Sequence, residues 1–447
     1  MGENLLDEGT TRMGWLIDDN PETPEIAVML KNTGKEIVLT VPTKGLASTD
    51  DPYALWFSSG IHYAADPEKV RRQYRPPRVL LFQDNDGTVV LVGCRDAGFT
   101  STVGAGHGKI VANFAILGGK SLRYNKINGV RSELPAIVEW TGLRSVHADP
   151  EADNQGRVQK VQIKLESPSP SPLNRRMNLN LRPTWRTSFP RHAGTFSAHD
   201  IVQLETTSRR PMAWKDHLEQ HVAMRDLIVL AGWHPFGFSR LEVNRIDDPE
   251  TFLSGDVSGP RWARVVTHRV QRHEERDRRN EFLFNFDDIG YQGVRKWLKL
   301  RSHFARAIDP VVALADQQGG FWETRMVQSG IALEALGYQL ETDNGGTEFN
   351  SRGQITYMDA LGKILADMSY IPIDDPDDWK QRSRECYMGV KHADNSTPDS
   401  LILANTLREN LLVVRFWLAS RLGCKKHSLR RRRDLDPLAA RYVPVGE

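Results

Sequence analysis

The sequence predicts an α+β chain in two parts, a β-rich, sandwich-like first part and an all-α second part. Three observations lead there. Up to about residue 210, short runs rich in Val, Ile, Leu and Phe are split by frequent turn signals. From Asp287 onward, apolar residues recur at helical spacing between loops of Gly, Asn, Pro and Asp. The length, 447 residues, is also too great for one core at ~150 residues per domain.

In the first part the strand candidates are Glu36–Val41, Arg78–Phe82, Thr88–Val92, Ile110–Leu117, Ala136–Trp140 and Val158–Leu165. DNDG, GAGHG, LGGK, NGVRSE and SPSPSP separate them as turns and loops. The run VQKVQIKLE alternates apolar and polar residues, the pattern of a half-buried strand. A helix is expected over Trp214–Leu230, then a mixed region closing in a strand-like EFLFNF before residue 287. Helices are expected next over Gly290–Ala307, Phe321–Leu340, Ile355–Met368, Asp377–Lys391 and Pro398–Leu422. The division expected is 1–286, 287–424 and a basic tail, 425–447, with no internal repeat.

Composition narrows the function. Apolar residues make up 39% and charged residues 26%, an ordinary globular balance. A net charge of +2 excludes a uniformly polybasic nucleic-acid coat. Cys94, Cys386 and Cys424 are too scattered for a disulfide framework or a CxxC zinc site. No apolar run reaches the ~18 residues of a membrane helix. The opening MGENLLDEGTTRMG is not a signal peptide, and Leu6 stands where a myristoylation motif needs Ser or Thr. A reducing, cytoplasmic location with no membrane association and no cofactor is the expectation.

Several motifs are set aside. Gly104, Gly106 and Gly108 lack the spacing of a dinucleotide loop, and KIVANFAIL after them reads as strand, so GAGHG is taken as a flexible turn. Gly119-Lys120-Ser121 has Phe114 where a phosphate loop needs its first Gly. His217 and His221 share a helix face, but Leu218 replaces the Glu of a zinc protease, and a solvent-facing pair is expected. Arg269–Arg279 mixes both signs, as a solvated face does. Glu334, within the apolar GIALEALGY, is either semi-buried with a partner or lines a site.

The informative segment is DDPDDWKQRSRECYMGVKHADNSTPDS. Asp375 and Pro376 open a helix, with Asp377 and Asp378 placed against its dipole. It ends near Lys391 or His392, before Asn395-Ser396-Thr397-Pro398, where Ser396 or Thr397 would cap the next helix. His392 then lies in the last turn, where carbonyls favour its protonated form and equip it for proton transfer. Arg384, eight residues earlier, is ~12 Å along the axis and ~80° around it. Its long side chain can lean toward the histidine, while Tyr387 and Lys391 share another face. A cation beside a histidine is the minimal kit for metal-free RNA cleavage, the base taking the 2′-hydroxyl proton and the cation facing the phosphate. The rival reading of the same residues is an exposed helix end with a capping histidine.

YMGVKHADN after its WxxRxRxxY-like lead, with ALEALGY before it, resembles the ApeA-like branch of the HEPN superfamily. WTGL (Trp140–Leu143), NGVRSE and FLFNFDDIG (Phe282–Gly290) resemble the ApeA N-terminal domain. The similarity spans about residues 10–420. It implies a sensing or regulatory β domain and a helical HEPN bundle that pairs as a homodimer. The implied activity is a metal-independent endoribonuclease of abortive infection, acting on transfer or other cellular RNA, with a phage-derived protein as trigger. The family motif is an Arg followed by a polar residue, with four to six residues in all between the Arg and a His. Carried over, these are Arg384, the polar Glu385 and His392, with Tyr387, Lys391 and Glu334 in support. Seven residues intervene here, and Gly389 is where a bulge would absorb the extra one. That spacing keeps open a non-cleaving HEPN module, or Lys391 as the phosphate-binding cation.

Between Arg421 and Arg433 stand seven Lys or Arg and no acid. Lys425, Lys426, Arg430, Arg431, Arg432 and Arg433 form a cluster that suits RNA phosphates or simply a solvated tail. A third reading, a ligand-binding β-sandwich with a helical dimerisation domain, rests on the eleven tryptophans, Trp56, Trp140 and Trp185 among them. These are more simply core residues.

Overall fold

The computed structural model describes residues 4–18, 25–44, 53, 56–57, 76–102, 104–175, 177–189, 194–252, 254–270, 280–317 and 319–444. Its first part is one 14-stranded antiparallel sheet. The strands are β1 (Thr11–Ile17), β2 (Ala27–Asn32), β3 (Ile37–Lys44), β4 (Val79–Asp84), β5 (Gly87–Val92), β6 (Arg95–Thr102), β7 (Ala105–Ala112), β8 (Phe114–Leu117), β9 (Lys126–Glu133), β12 (Ser171–Asn174), β13 (Leu179–Ser188), β14 (Ser197–Ala213), β15 (Arg240–Asn244) and β18 (Ala263–Thr267). Two small ribbons stand outside it: β10 (Val146–Ala152) with β11 (Val158–Leu165), and β16 (Glu250–Thr251) with β17 (Val257–Gly259).

The side-chain period of a strand builds the core. In β1 and β2 every second residue is buried, and Leu16, Val28 and Leu30 join Leu39, Phe82, Leu91 and Ile110 in one cluster. The other faces of β4, β5 and β8 are covered as well: Val90, Phe114 and Ile116 pack with Val130, Val243 and Val265. These strands therefore read as continuous apolar runs, while β1 and β2 alternate. Only Gly104 of GAGHG is a turn residue, at φ 96°. Gly108 lies inside β7, where a Cβ would sit 2.1 Å from the Phe57 ring, so that glycine serves packing.

Ala136–Thr141 is a helix (α1), not the strand its composition suggests. Pro135 precedes it and Gly142, at φ 66°, stops it, the proline-first and glycine-last asymmetry that a strand reading overlooks. The EFLFNF run is no strand: it lies outside the sheet, bends at Leu283 and Phe284, and ends in Phe286, the first residue of a helix. Phe284 uses its carbonyl to accept the Trp140 indole N–H at 3.0 Å, and Asn285 with Asp288 forms a capping box. WTGL and FLFNFDDIG are thus in direct contact.

α2 (Trp214–Gly232) lies across β9 and β14, and His217 and His221 are both fully buried, not solvent-facing. Thr206 Oγ stands 3.0 Å from a ring nitrogen of each, and Ser132 Oγ is 2.7 Å from His221 Nδ1. Burial pushes the His221 imidazole down to about 3 and lowers His217 too. Both stay neutral in the fold, so their contribution to stability is present above the unfolded-state value of about 6.5 and is lost as pH falls toward the folded one. His221 alone makes the protein about 2 kcal/mol less stable at pH 5 than at pH 8. Denaturant titrations across that range should show this slope, flattened in His221→Gln; an equal slope in that variant would refute the assignment.

The second part is all helical: α3 (Phe286–His303), α4 (Ala305–Asp316), α5 (Trp322–Asp343), α6 (Tyr357–Asp367), α7 (Pro376–Lys391), α8 (Ser400–Leu422) and α9 (Lys426–Arg433). α8 is buried on nearly every side from Leu403 to Ala419, so it is the helix around which the others pack. One apolar cluster runs from Leu179 and Leu204 of the sheet through α1 and α2 into α3–α8. Among the described residues no helix is long and apolar enough to cross a membrane, and Cys94, Cys386 and Cys424 are free and buried. Trp56 and Trp140 are core residues, whereas Trp185 is 38% exposed. Of the mixed-charge run 269–279, residues 271–279 lie outside the described residues.

Candidate functional site

α7 forms where the sequence places it. The Asp375 carboxylate accepts the Asp378 N–H at 3.0 Å, Pro376 occupies the first turn, and Asp377 and Asp378 face the positive end of the dipole. Trp379, Ser383, Cys386 and Tyr387 are buried, a stripe at helical spacing that sets the helix's rotation. Beneath it lies a polar net centred on Asn410 of α8. The Asn410 Oδ1 accepts from Trp379 Nε1 at 3.0 Å and from Ser383 Oγ at 2.9 Å, and its Nδ2 donates to Ser329 Oγ of α5. Gly330 of α5 passes so close that a Cβ there would lie 2.3 Å from the Tyr387 ring. Arg382 is tied down by Asp378 at 2.6 Å and by the buried Glu409 at 2.8 Å.

At the exposed end the picture reverses. Arg384 and His392 are solvent-exposed, and neither side chain has a hydrogen-bond or ion-pair partner among the described residues. His392 is the C-cap, where the chain leaves the helix at φ −119° and ψ 120°. α7 is regular through Lys391, so Gly389 makes no bulge and the Arg–His spacing stands as the sequence has it. Gly389 instead admits the loop that follows, since a Cβ there would be 2.9 Å from both Pro398 Cδ and the Ser396 carbonyl. The Asn395 amide caps the Met388 carbonyl at 3.0 Å. The next helix is capped by Asp399, through the Leu401 and Ile402 N–H groups, rather than by Ser396 or Thr397.

The supporting residues fall in two groups. Tyr387 O–H donates to the Glu334 carboxylate and accepts from Lys391 Nζ, each at 3.2 Å, and the ammonium stands 4.8 Å from the tyrosine ring centroid. Burial above all, with Glu334 adding to it, raises the Tyr387 phenol and keeps it protonated. Glu334 is therefore semi-buried with a partner. Seven residues of helix turn through about 700°, which brings Lys391 back within ~20° of Arg384. By that geometry the two cations share a stripe, and Lys391 meets Tyr387, with which the sequence reading paired it. Glu385 accepts from Gln381 at 2.6 Å on the exposed side.

After Leu422 the chain folds back onto the helices through the buried Leu429. Arg432 forks onto Asp288 and the Asn285 side chain, and Arg433 onto Asp374 and the Pro372 carbonyl. Lys425, Lys426, Arg430 and Arg431 remain exposed. Two sizeable cavities, about 1250 and 840 Å³, flank α2 and α3, and no residue of α7 lines either. No group of three or more His, Cys, Asp or Glu among the described residues is arranged to hold a metal ion.

The ApeA N-terminal domain 1 family model matches residues 12–299, nearly two thirds of the chain. The chain belongs to the ApeA family. The ApeA match takes in the whole sheet, α1, α2 and most of α3, including WTGL, NGVRSE and FLFNFDDIG. Arg384 and His392 lie beyond the matched ApeA residues. No curated protein and no solved structure matches the chain.

The sequence reading missed Asn410 and Glu409, which hold α7 in place. Their signal was present: polar residues inside the apolar run LRENLLVVRFW need buried partners.

Proposed function

We propose that this ApeA-family chain acts in anti-phage defence as a HEPN-type ribonuclease that cleaves cellular RNA, transfer RNA included, without a metal ion. Its site is the exposed end of α7. The observation that carries the reading is the contrast between cations: Arg382 is held by Asp378 and Glu409, while Arg384 and His392 project unpaired from the same helix. Two unpaired groups on a helix held from below are free to meet a phosphodiester.

In the proposed reaction His392 accepts the 2′-hydroxyl proton as O2′ bonds to phosphorus. The P–O5′ bond breaks, leaving a 2′,3′-cyclic phosphate and a 5′-hydroxyl. Arg384 offsets charge on the phosphoryl oxygens, with Lys391 on the same stripe. One Arg and one His make a sparse site, so pairing of two helical parts, with His392 of the second copy protonating O5′, completes it. The exposed Lys425, Lys426, Arg430 and Arg431 would track the RNA backbone. The β part would sense the trigger, a phage protein.

The test is incubation of purified protein with total cellular RNA in EDTA, followed by end analysis, in buffer and in lysate from phage-infected cells. Fragments with cyclic-phosphate ends are expected. RNA left intact under every condition favours the second reading, a HEPN module that binds RNA or protein without cleaving. The unbroken α7, which leaves the Arg–His spacing one residue long, is what supports that alternative.

A further inference from the structure

The two cavities that flank α2 and α3 have walls of opposite character. The larger, about 1250 Å³, lies between β12, α2 and α3, where the sheet meets the helices. Arg295, Lys299 and His303 line it from one stripe of α3, four residues apart, and Arg175 lines it from just past β12. Arg295 Nε donates to the Leu173 carbonyl at 3.1 Å, which fixes the guanidinium at the wall, and His303 is held by Asp343 at 2.9 Å. Arg175, Arg295 and Lys299 have no carboxylate partner among the described residues. Of the two acids in the lining, Glu219 already meets Lys215 at 3.4 Å, which leaves Asp216 against three cations. The wall is positive.

The second cavity, about 840 Å³, is within the ~300–1,000 Å³ of small-molecule pockets. Its charged groups are matched already: Arg301 by Asp226 at 2.9 Å, Lys215 by Glu219, and Arg269 by the Asn113 side-chain carbonyl at 3.0 Å. The rest of its wall is apolar, with Leu218, Val222 and Val270 beside Phe114 and Trp214. Those two rings stack with centroids 4.0 Å apart, and the Trp214 N–H is taken by the Tyr124 carbonyl. Glu219, Gln220, Leu298 and Ser302 line both cavities, so the two adjoin. On that shared wall the Gln220 Oε1 is buried and accepts no hydrogen bond among the described residues.

We propose that the two cavities form one binding site for a nucleotide, with its base in the apolar cavity and its phosphates in the cationic one. Each part of the ligand follows from a separate observation. Guanidinium and ammonium groups without carboxylates select phosphate, and a stripe running ~12 Å along α3 suits a chain of phosphates better than a single carboxylate. An apolar chamber walled by aromatic rings, its own charges matched, takes a flat base. A nucleotide spanning both sets its ribose at the junction, where a hydroxyl donates to Gln220 Oε1. An acyl chain with a phosphate would leave that acceptor unmet. The site lies at a junction between two parts of the chain, the usual place for such pockets. It is separate from α7 and does not depend on RNA cleavage.

Isothermal titration calorimetry of the full chain tests it, with ATP, GTP, CTP and UTP in turn, then the matching nucleoside and tripolyphosphate. At least one nucleoside triphosphate should bind ten times more tightly than its nucleoside or tripolyphosphate. Lys299→Glu, at a side chain without partners among the described residues, should weaken that binding at least tenfold. Lys296→Glu makes the same change of charge on α3 outside both cavities and should leave it as it is. Ala305→Trp, which fills the second cavity, should reduce the affinity to that of tripolyphosphate. Binding by none of the four overturns the proposal, and so does tripolyphosphate binding as tightly as they do. A loss in Lys299→Glu no greater than in Lys296→Glu, or full affinity in Ala305→Trp, overturns it as well.

Discussion

Replacing His392 by Ala lowers RNA cleavage by about 10²–10⁴-fold, the usual worth of a positioned acid or base. Unfolding free energy stays within about 0.5 kcal/mol of the wild type, because an exposed side chain without partners contributes little to the fold. Arg384→Ala follows the same pattern for the same reason, losing cleavage and keeping stability. Arg382→Ala is the informative contrast. It leaves Glu409, buried in α8, without its 2.8 Å partner, so it lowers stability first and cleavage only through the disturbed helix. Cleavage rates and urea unfolding curves measured side by side on the three variants separate these cases. A folded His392→Ala protein that cuts RNA at the wild-type rate would sink the assignment. A loss in Lys391→Ala greater than in Arg384→Ala would move the phosphate contact to Lys391.

The division into sheet and helices was legible because it rests on periodicity, which one sequence displays in full. Five helical stretches after Asp287 appear as helices, with Gly290–Ala307 resolving into α3 and the start of α4. Most of the strand candidates are strands. What failed was what a neighbour decides. His217 and His221 read as surface residues because nothing local announces that β9 and β14 bring Ser132 and Thr206 against them. Ala136–Trp140 read as strand because composition was weighed above Pro135 and Gly142. At the candidate site, the helix, its cap and its end were legible from Asp375, Pro376 and the NSTP segment. Which of two arginines is unpaired was not, since it depends on Glu409, which is distant in sequence and adjacent in space.

Substituting Arg415 by Leu destabilises the protein by about 3–5 kcal/mol, the usual cost of breaking a buried ion pair from one side. Arg415 of α8 and Asp436, beyond α9, are both fully buried and 2.6 Å apart. Arg415 also donates from Nε to the Leu230 carbonyl at 2.7 Å and from its terminal nitrogen to the Ala231 carbonyl at 3.0 Å. Those carbonyls end α2, where a cation is favoured by the dipole. Asp436 accepts the Leu438 N–H through the same oxygen that meets Arg415, and its other oxygen has no partner among the described residues. Removing Arg415 thus strands a buried carboxylate and two buried carbonyls together, in a fold whose total stability is of order 5–15 kcal/mol. The double variant Arg415→Leu/Asp436→Leu recovers part of the loss, since the stranded charge is gone; the carbonyls still lack donors. Urea unfolding of the two single variants and the double gives the coupling directly. A single-variant loss under about 1 kcal/mol would show that water reaches the pair. The larger loss has a functional corollary. α2 belongs to the ApeA-matched region and α8 to the helices that hold α7, so Arg415 is where the sheet's own helix, the helical bundle and the returning C-terminal segment share one charge.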